Sequence, residues 1–267
     1  MPLTHQLERE RPFTLQNLPT DGKQFHPDRA AAETEFKTLR KAFIALQRQL
    51  YAEGKQKLLI VLQAMDAGGK DGTIRNILRG VNPQGVRVDS FKVPSKKELA
   101  HDFLWRIHKV VPAKGMIGVF NRSHYEDVLV VRVHNIVPEA VWRPRYEQIN
   151  QFEKLLHDTG TRILKFYLHI SLDEQKERFQ SRLDEPEKNW KFSLGDLDKR
   201  KLWPDYMAAY EEMLQQCSTV WAPWHVIPAN QKWYRNLTIM RTIVHTLREM
   251  NPQYPEPEDN LDQVVIQ

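Results

Sequence analysis

Five strand candidates, the first a short apolar run, punctuate the chain, and segments with helical periodicity lie between them. The first run, Lys57-Leu-Leu-Ile-Val-Leu-Gln63, lacks apolar–polar alternation, which suits a strand covered on both faces. Arg87–Val93, Met116–Phe120, Ile163–Ile170 and Trp224–Ile227 are the other strand candidates. Ahead of them, Phe36, Leu39, Phe43, Leu46 and Leu50 recur every three or four residues and predict one apolar helix face. Asp28 is placed to cap that helix and Gly54 to end it. Further helices are expected over Thr73–Leu78, Lys96–His108, Glu139–His157, Asp173–Arg182, Arg200–Gln216 and Tyr234–Met250. Strands alternating with helices predict an α/β domain around a parallel sheet of about five strands.

The flanks differ from this pattern. Residues 1–27 are polar, carry prolines at 2, 12, 19 and 27, and predict an extended arm. Residues 251–267 begin with a proline-rich stretch and predict an extended tail. Residues 28–250 are then a single domain, a size near the upper end of what one core supports. Within it, the segment 178–203 is highly charged with interspersed aromatics, as expected of a functional lid.

Composition narrows the class. Hydrophobic residues are 41% of the chain, which excludes wholesale disorder. The longest apolar run, Leu58–Leu62, is far short of a membrane span, and the first residues lack a signal-like apolar stretch. Cys217 is the single cysteine, so no internal disulfide can form, and it is expected as a small buried hydrophobe on a helix. A cytoplasmic protein is the simplest expectation, bound to no membrane. The formal net charge is +5, yet between Ala67 and Val133 twelve Lys or Arg face six Asp or Glu. That concentration points to an anionic partner: nucleic acid, phosphorylated metabolite or polyanion.

Candidate chemistry lies in the same window. After the first apolar run comes Ala64-Met-Asp-Ala-Gly-Gly-Lys-Asp-Gly-Thr73. The Walker A pattern is Gly, four residues, Gly-Lys, then Ser or Thr. Gly69-Lys70 matches it, but Ala64 stands at the first Gly, Asp71 at the Ser/Thr, and Thr73 lies two positions on. Alone, the match is degenerate, and a strand-to-helix turn that merely needs glycine would look the same. The strand–turn–Lys–helix context favours phosphate, because backbone N–H groups and a helix N-terminus would face it and Lys70 adds a compact charge. Asp66 within the loop would repel phosphate unless a cation intervenes, which hints at Mg2+ or a protonated acceptor; the plain alternative is a local Asx turn.

Two more segments join it. In Met116-Ile-Gly-Val-Phe-Asn-Arg-Ser-His-Tyr-Glu-Asp127 a strand ends at Phe120 and polar groups crowd the turn. Ligands of open α/β sheets bind at the carboxyl ends of strands, so Asn121, Arg122, Glu126 and Asp127 are expected near Lys70. There an arginine can clamp phosphate and a carboxylate can hold metal. Ser123 is expected to form a capping box with Glu126, and His124 to be packed or hydrogen-bonded, since the hydrolase G-x-S-x-G elbow is missing. In Glu177-Arg-Phe-Gln-Ser-Arg182, Arg178 and Arg182 share one helix face, which is unfavourable unless an anion sits between them or Glu174 pairs with Arg178. Lys188, Lys191, Lys199, Arg200 and Lys201 are further candidate phosphate contacts.

Together, Leu62–Thr73, Asn121-Arg-Ser-His-Tyr-Glu-Asp-Val128 and Glu177–Phe192 resemble the polyphosphate kinase 2 family, in its class III branch, over about 36–246. The resemblance implies a P-loop kinase-like three-layer α/β fold with a helical lid. It implies phosphate transfer from inorganic polyphosphate to AMP and ADP, forming ADP and ATP in an in-line, Mg2+-dependent reaction, with Mn2+ as an alternative metal. Carried over by position, Ala67, Gly68, Gly69, Lys70, Asp71, Gly72 and Thr73 would form the phosphate-binding loop, and Lys70 would bind the transferring phosphate. Asp66 would orient the acceptor phosphate and help hold metal, Asp127 would be the second metal carboxylate, and Arg122 would stabilise charge in transfer. Arg178 and Arg182 would be the lid arginines, with Lys188 as a further lid contact. Other branches open the second motif with Asp where this chain has Asn121, which marks the branch and leaves the metal to Asp66 and Asp127, with Glu126 a lesser candidate. The resemblance also implies a homo-oligomer, such as a tetramer.

Two rivals remain at this level. The loop and arginine-rich lid alone would also suit an ATP-dependent nucleoside monophosphate kinase. The basic charge, with Trp105 and Trp190 near cations, would suit a nucleic-acid-binding module, but no recognition motif supports one and no nucleic acid partner is expected. Trp190 as a base-stacking residue and Trp105 packed under Lys109 are the aromatic candidates.

Overall fold

The computed structural model describes residues 5–8, 12–258 and 266, so parts of the expected arm and tail lie outside the described residues. The elements run α1 (Arg29–Glu53), β1 (Lys57–Gln63), α2 (Lys70–Ile77), β2 (Val86–Ser90), α3 (Lys96–Leu99), α4 (Trp105–His108) and β3 (Ile117–Asn121). They continue α5 (Glu126–Val133), α6 (Glu139–Trp142), α7 (Arg145–Asp158), β4 (Thr161–His169), α8 (Leu172–Asp184), α9 (Leu194–Lys201), α10 (Trp203–Cys217), β5 (Trp224–Pro228) and α11 (Lys232–Met250). The five strands form one sheet in the order β2-β3-β1-β4-β5, and every pair is parallel. Among the described residues no helix is long and apolar enough to cross a membrane.

Successive β1 side chains point to opposite faces, which produces three layers. Leu58, Ile60 and Leu62 join Phe43 and Leu50 of α1 and Ile239 and Ile243 of α11. Leu59 and Val61 join Leu129 of α5, Ile149 of α7 and Met213 of α10. With both faces covered, β1 carries no polar alternation. After β1 the chain moves out to the β2 edge, and after β3 it crosses to β4 on the other side of β1, so the turns that follow β1 and β3 meet at the carboxyl ends of the central strands.

Local chemistry explains most boundaries. The Asp28 carboxylate accepts from the Ala31 N–H, and Gly54 closes α1 in the left-handed region. The helix expected over Lys96–His108 is instead two short helices, because the Asp102 side chain accepts from the Leu104 N–H and forms a local turn. The helix expected over Glu139–His157 is interrupted before Arg145, where Pro144 supplies no N–H. α2 begins at Lys70, three residues before the expected Thr73, and β2 ends at Ser90. α5 and α9 were not anticipated by periodicity.

The residues before α1 pack rather than trail. The Leu7 N–H donates to the Trp224 carbonyl (2.8 Å), the Val226 N–H donates to the His5 carbonyl (2.9 Å), and Leu15 is buried. This segment covers the otherwise open edge of β5. Three histidines lie under or within it. Burial pulls His5, His169 and His225 down to about 4, with contacts to Leu15 and Leu18 opposing the effect at His169.

A buried polar network sits beneath the sheet on the α7 side. Lys165 donates to Glu153 (2.6 Å), to the Tyr125 hydroxyl (2.8 Å) and to the Cys217 carbonyl (2.7 Å). Glu153 also accepts from Tyr125 (2.7 Å) and bonds His124 (3.1 Å). Burial raises the Glu153 carboxyl, but Lys165 and His124 outweigh it and hold it below its ordinary range. Cys217 is buried on α10, and burial pushes its thiol up to about 12.

Two outcomes follow for stability. The three histidines are neutral when docked and free to take a proton when released, so docking is fully favourable above their ordinary value of 6.5 and weakens as pH falls from there to about 4. Protection of the Leu7 and Val226 amides, taken relative to the intrinsic exchange rate at each pH, is expected to fall over that window; flat protection from pH 7 to pH 4.5 would contradict it. Lys165→Met leaves the Glu153 charge buried and unpaired, and is expected to cost about 3–5 kcal/mol in denaturant unfolding. Adding Glu153→Leu to it is expected to recover a large part of that loss.

Candidate active site

The turn after β1 wraps around a lysine ammonium. Lys70 Nζ donates to the carbonyls of Ala64 (2.7 Å) and Met65 (3.4 Å), and the side chain is almost wholly buried. Ala67 (φ 61°) and Gly69 (φ 101°) bend the chain through the left-handed region into α2. Gly69 has a second reason to be glycine, since a Cβ there would overlap the Arg235 guanidinium. Burial, helped by the Arg122 charge, pulls the Lys70 ammonium down to about 8. Thr73 is buried and its hydroxyl donates to the Gly69 carbonyl, so it closes the helix turn instead of facing a ligand. Asp71 lies on the exposed side and accepts from the Asn121 side chain (2.6 Å).

The turn after β3 meets this loop. The register pairs Leu62 with Asn121, and the Arg122 N–H donates to the Leu62 carbonyl (3.1 Å). Arg122 has φ 62°, and its guanidinium donates to Asp66 (3.0 Å) and lies 3.9 Å from Glu126. Lys199 of α9 donates to the other Asp66 oxygen (2.9 Å), and the Gln175 amide donates to the Asp66 carbonyl (2.9 Å). Tyr206 and Tyr210 of α10 wall the small cavity, of about 30 Å³, that these groups enclose. Burial raises the Asp66 carboxyl, but Lys70, Arg122 and Lys199 outweigh it and the net shift is downward. At Glu126 burial wins over Arg122 and Lys70, and the carboxyl is raised.

Ser123 does not cap α5. Its hydroxyl accepts from Gln63 (3.2 Å) and from the Tyr125 N–H (3.2 Å), so the expected capping box does not form and Glu126 is left to face the cavity. His124 is packed and hydrogen-bonded, as expected.

Asp127 points elsewhere. Arg145 donates to its carboxylate (3.4 Å) and to its carbonyl (2.9 Å), and Arg106 lies 3.7 Å away. Burial raises its carboxyl against the pull of Arg145, Arg106 and His124. Its Oδ2 is buried with no hydrogen-bond partner among the described residues. The carboxylate that shares Lys70 and Arg122 with Asp66 is therefore Glu126. Among the described residues no group of three or more His, Cys, Asp or Glu is placed to hold a metal by itself. Asp66, Glu126 and Asp127, whose Oδ2 has Arg106 at 3.7 Å but no hydrogen bond, are hard oxygen donors that suit Mg2+ once substrate oxygens complete its shell.

The lid residues divide. Arg178 reaches the loop: it donates to the carbonyls of Ala67 (2.9 Å) and Ala229 (2.6 Å) while Glu174 holds its Nε (2.6 Å). Arg182 instead donates to the Lys191 carbonyl (3.0 Å) and pairs with Asp196 (3.3 Å). Lys188 pairs with Glu185 (2.5 Å). Both fasten the lid segment to itself. Trp190 is exposed at the lid surface under Lys191, and Trp105 lies under Lys109 as expected.

One residue beside the loop was not anticipated. Arg235 of α11 is 2% exposed, its guanidinium bonds only the Asn236 side chain among the described residues, and it is pulled down to about 9 by burial and by the Arg178 charge. It stands in the same helix row as buried Ile239, Ile243 and Leu247, and an arginine in an apolar row is the one signal that would have marked it.

Comparison with known proteins agrees with this geometry. A family model described as polyphosphate kinase 2 matches residues 26–255. The chain is 55% identical over 249 residues to an AMP/ADP-polyphosphate phosphotransferase of Meiothermus ruber, covering 93% of each. It is 50% identical over 223 residues to an ADP-polyphosphate phosphotransferase of Rhodopseudomonas palustris, covering 79% of this chain and 77% of that relative. The crystal structure of polyphosphate kinase 2 from Arthrobacter aurescens TC1 superposes with a TM-score of 0.93 at 40% identity, over 97% of this chain and 93% of that one. The five-stranded parallel sheet, the loop around Lys70 and these matches over most of the length place the chain in the polyphosphate kinase 2 family.

Proposed function

We propose that the protein transfers phosphate from inorganic polyphosphate to AMP and ADP, forming ADP and ATP, as class III members of the family do. The observation that carries this reading is the gathering of Lys70, Arg122 and Arg178 around one strand-to-helix turn, with Asp66 at its mouth. The names borne by the Meiothermus ruber and Rhodopseudomonas palustris relatives support it.

Phosphoryl transfer asks for positioning and charge stabilisation more than for covalent chemistry. The terminal phosphoryl group of the donor lies over residues 67–73, and Lys70 exchanges its carbonyl contacts for phosphate oxygens. A terminal phosphate oxygen of the nucleotide attacks that phosphorus in line. The bridging P–O bond breaks, and its electron pair leaves with a polyphosphate one unit shorter. Arg122 spans acceptor and transferring groups, and Asp66 orients the acceptor through the cations it already holds. Arg178 closes the loop from the lid side, and Arg182 with Lys188 keep the lid folded. Mg2+, or Mn2+ in its place, would be held by Asp66 with Glu126 and Asp127 as the neighbouring carboxylates, and would supply neutralisation of phosphate charge. The same resemblance extends to a cytoplasmic homo-oligomer such as a tetramer, whose mass light scattering measures.

A donor panel separates this reading from an ATP-dependent nucleoside monophosphate kinase. With Mg2+ and AMP or ADP, polyphosphate is expected to yield ADP and ATP; product from ATP plus AMP alone would transfer the assignment to the rival. Lys70→Ala and Asp127→Asn are each expected to lower kcat by about 100-fold or more with an unchanged circular dichroism spectrum. Full activity in both would refute the roles given to them. The pH profile has a definite sign. The Lys70 ammonium is charged below about 8 and neutral above it, so kcat/KM is expected to fall as pH rises through that value. In Lys70→Arg the charge persists, and the alkaline limb is expected to move to higher pH.

A further inference from the structure

The two edges of the sheet differ. At one edge the residues before α1 cover β5, where the Leu7 N–H and the His5 carbonyl bond the strand. At the other edge β2 ends the sheet, and among the described residues no strand or isolated bridge pairs with its outer side. Arg87, Val88 and Ser90 are exposed, and Val88 keeps 43% of its surface in contact with solvent. A bare edge invites another strand, and chains that stay apart blunt it with proline, lysine or a bulge. β2 has none of these. Its sequence is Val86-Arg-Val-Asp-Ser90, and its five residues run in unbroken register with Ile117–Asn121.

The backbone fixes which groups face outward. The Phe91 N–H donates to the Asn121 carbonyl (3.1 Å), so residues 87, 89 and 91 turn N–H and C=O toward β3. Val86, Val88 and Ser90 turn theirs toward the open edge. The Val86 N–H is taken by the Pro83 carbonyl. Among the described residues no turn, loop or cap hydrogen bond reaches the Val86 carbonyl or the N–H and C=O of Val88 and Ser90.

The side chains carry a second pattern. Arg87 and Asp89 lie on one face of the strand, pair with each other (2.9 Å), and stand symmetrically about Val88. Consider two copies of β2 antiparallel, with the twofold axis between their Val88 residues. The two Val88 residues exchange two N–H···O bonds, and each Ser90 N–H donates to the Val86 carbonyl of the other copy. Arg87 of each copy then stands opposite Asp89 of the other, at the non-hydrogen-bonded positions where opposed side chains come closest. Centring the pair on Arg87 or Asp89 instead would set two arginines or two aspartates against each other, so charge selects the register at Val88.

We propose that β2 is a dimerisation edge, at which the five-stranded sheets of two copies join antiparallel about Val88 into one continuous sheet. The inference rests on the homo-oligomer expectation above for the presence of a second copy, and not on the polyphosphate reading. The contact uses the same edge of both copies, and the outer edges of the joined sheet are the β5 edges that the N-terminal residues already cover, so strand addition stops at two.

The test uses variants of the full chain, with mass read by light scattering at micromolar concentration. Arg87→Asp sets acid against acid across the axis and Asp89→Arg sets base against base, so each variant alone is expected to run at half the wild-type mass. Mixed in equal amounts, the two variants oppose unlike charges again, and the wild-type mass is expected to return. Val88→Pro removes the central donors, whose N–H groups face away from β3, and is expected to halve the mass while leaving the strand's own ladder intact. Thermal unfolding establishes that each variant is folded; if Asp89→Arg is not, Arg87→Asp and Val88→Pro still decide. An oligomer whose mass the variants leave unchanged, or half-mass variants that mixing does not restore, overturns the proposal alone. A monomeric wild type overturns it together with the homo-oligomer expectation. Failure of the wild type to move phosphate from polyphosphate would bear on the function above and not on this edge.

Discussion

Four cations, Lys70, Arg122, Arg178 and Arg235, are packed against one turn that carries a single carboxylate, Asp66, and the site is organised around holding them there. The loop's own carbonyl oxygens do much of that work. Ala64 and Met65 accept from Lys70, and Ala67 accepts from Arg178. Carbonyl dipoles stabilise a cation less than a full negative charge does, so the arrangement leaves a standing demand for phosphate. The bend that aims those carbonyls inward needs left-handed backbone at Ala67 and Gly69, and the facing turn needs it at Arg122. Non-glycine residues in that region are strained, and strain of this kind persists only where surrounding structure over-determines it.

The over-determination comes from below. His124 and Tyr125 follow Arg122 after Ser123, and both are tied to Glu153 of α7, which Lys165 of β4 neutralises. A fully buried ion pair is a poor source of net stability, because desolvation offsets most of its Coulomb attraction. It is, however, directional. By fixing two consecutive side chains of the turn, it holds Arg122 at the level of Asp66, which the pairing of Leu62 with Asn121 sets from the sheet side. Packing and site geometry thus share the same few residues.

Much of this was legible in the sequence, and the exceptions have physical causes. β1, β3, β4 and β5 were readable because strands buried on both faces show as largely apolar runs, the half-exposed edge strand β2 only by its spaced valines, and α1 because its apolar row and both caps are local. Where a boundary was missed, a local competitor had won: Pro144 in one helix, the Asp102 turn in another. α5 is eight residues long, with Leu and Val crowded together, which leaves no polar face to betray a helical period. Ser123 looked like a cap, but Gln63, sixty residues away, occupies its hydroxyl. In the site, loop residues and Arg122 were legible as motifs. The spacing of Arg178 and Arg182 established one helix face, but not that only the first reaches the loop while the second turns back to the lid. Arg235 lies in an ordinary helix with no motif, and only tertiary packing puts it over Gly69.

Charge shows the same divide most sharply. The surplus counted between Ala67 and Val133 suggested one basic surface, yet the fold pairs four of those twelve cations with acids. Arg87 pairs with Asp89, Arg106 with Asp127, Arg122 with Asp66 and Arg132 with Glu212. The cations of an open groove beside α1 and α11 come from residues 23, 37, 40, 79 and 232, of which Arg79 alone belongs to that window. An electrostatic potential sums over distance in space and not over position in sequence. A chain with a modest net charge can therefore hold a strongly positive groove, provided the fold brings separate cations to one face. α1, α2 and α11 do this by converging beside the phosphate loop, where a polyanionic substrate would need them.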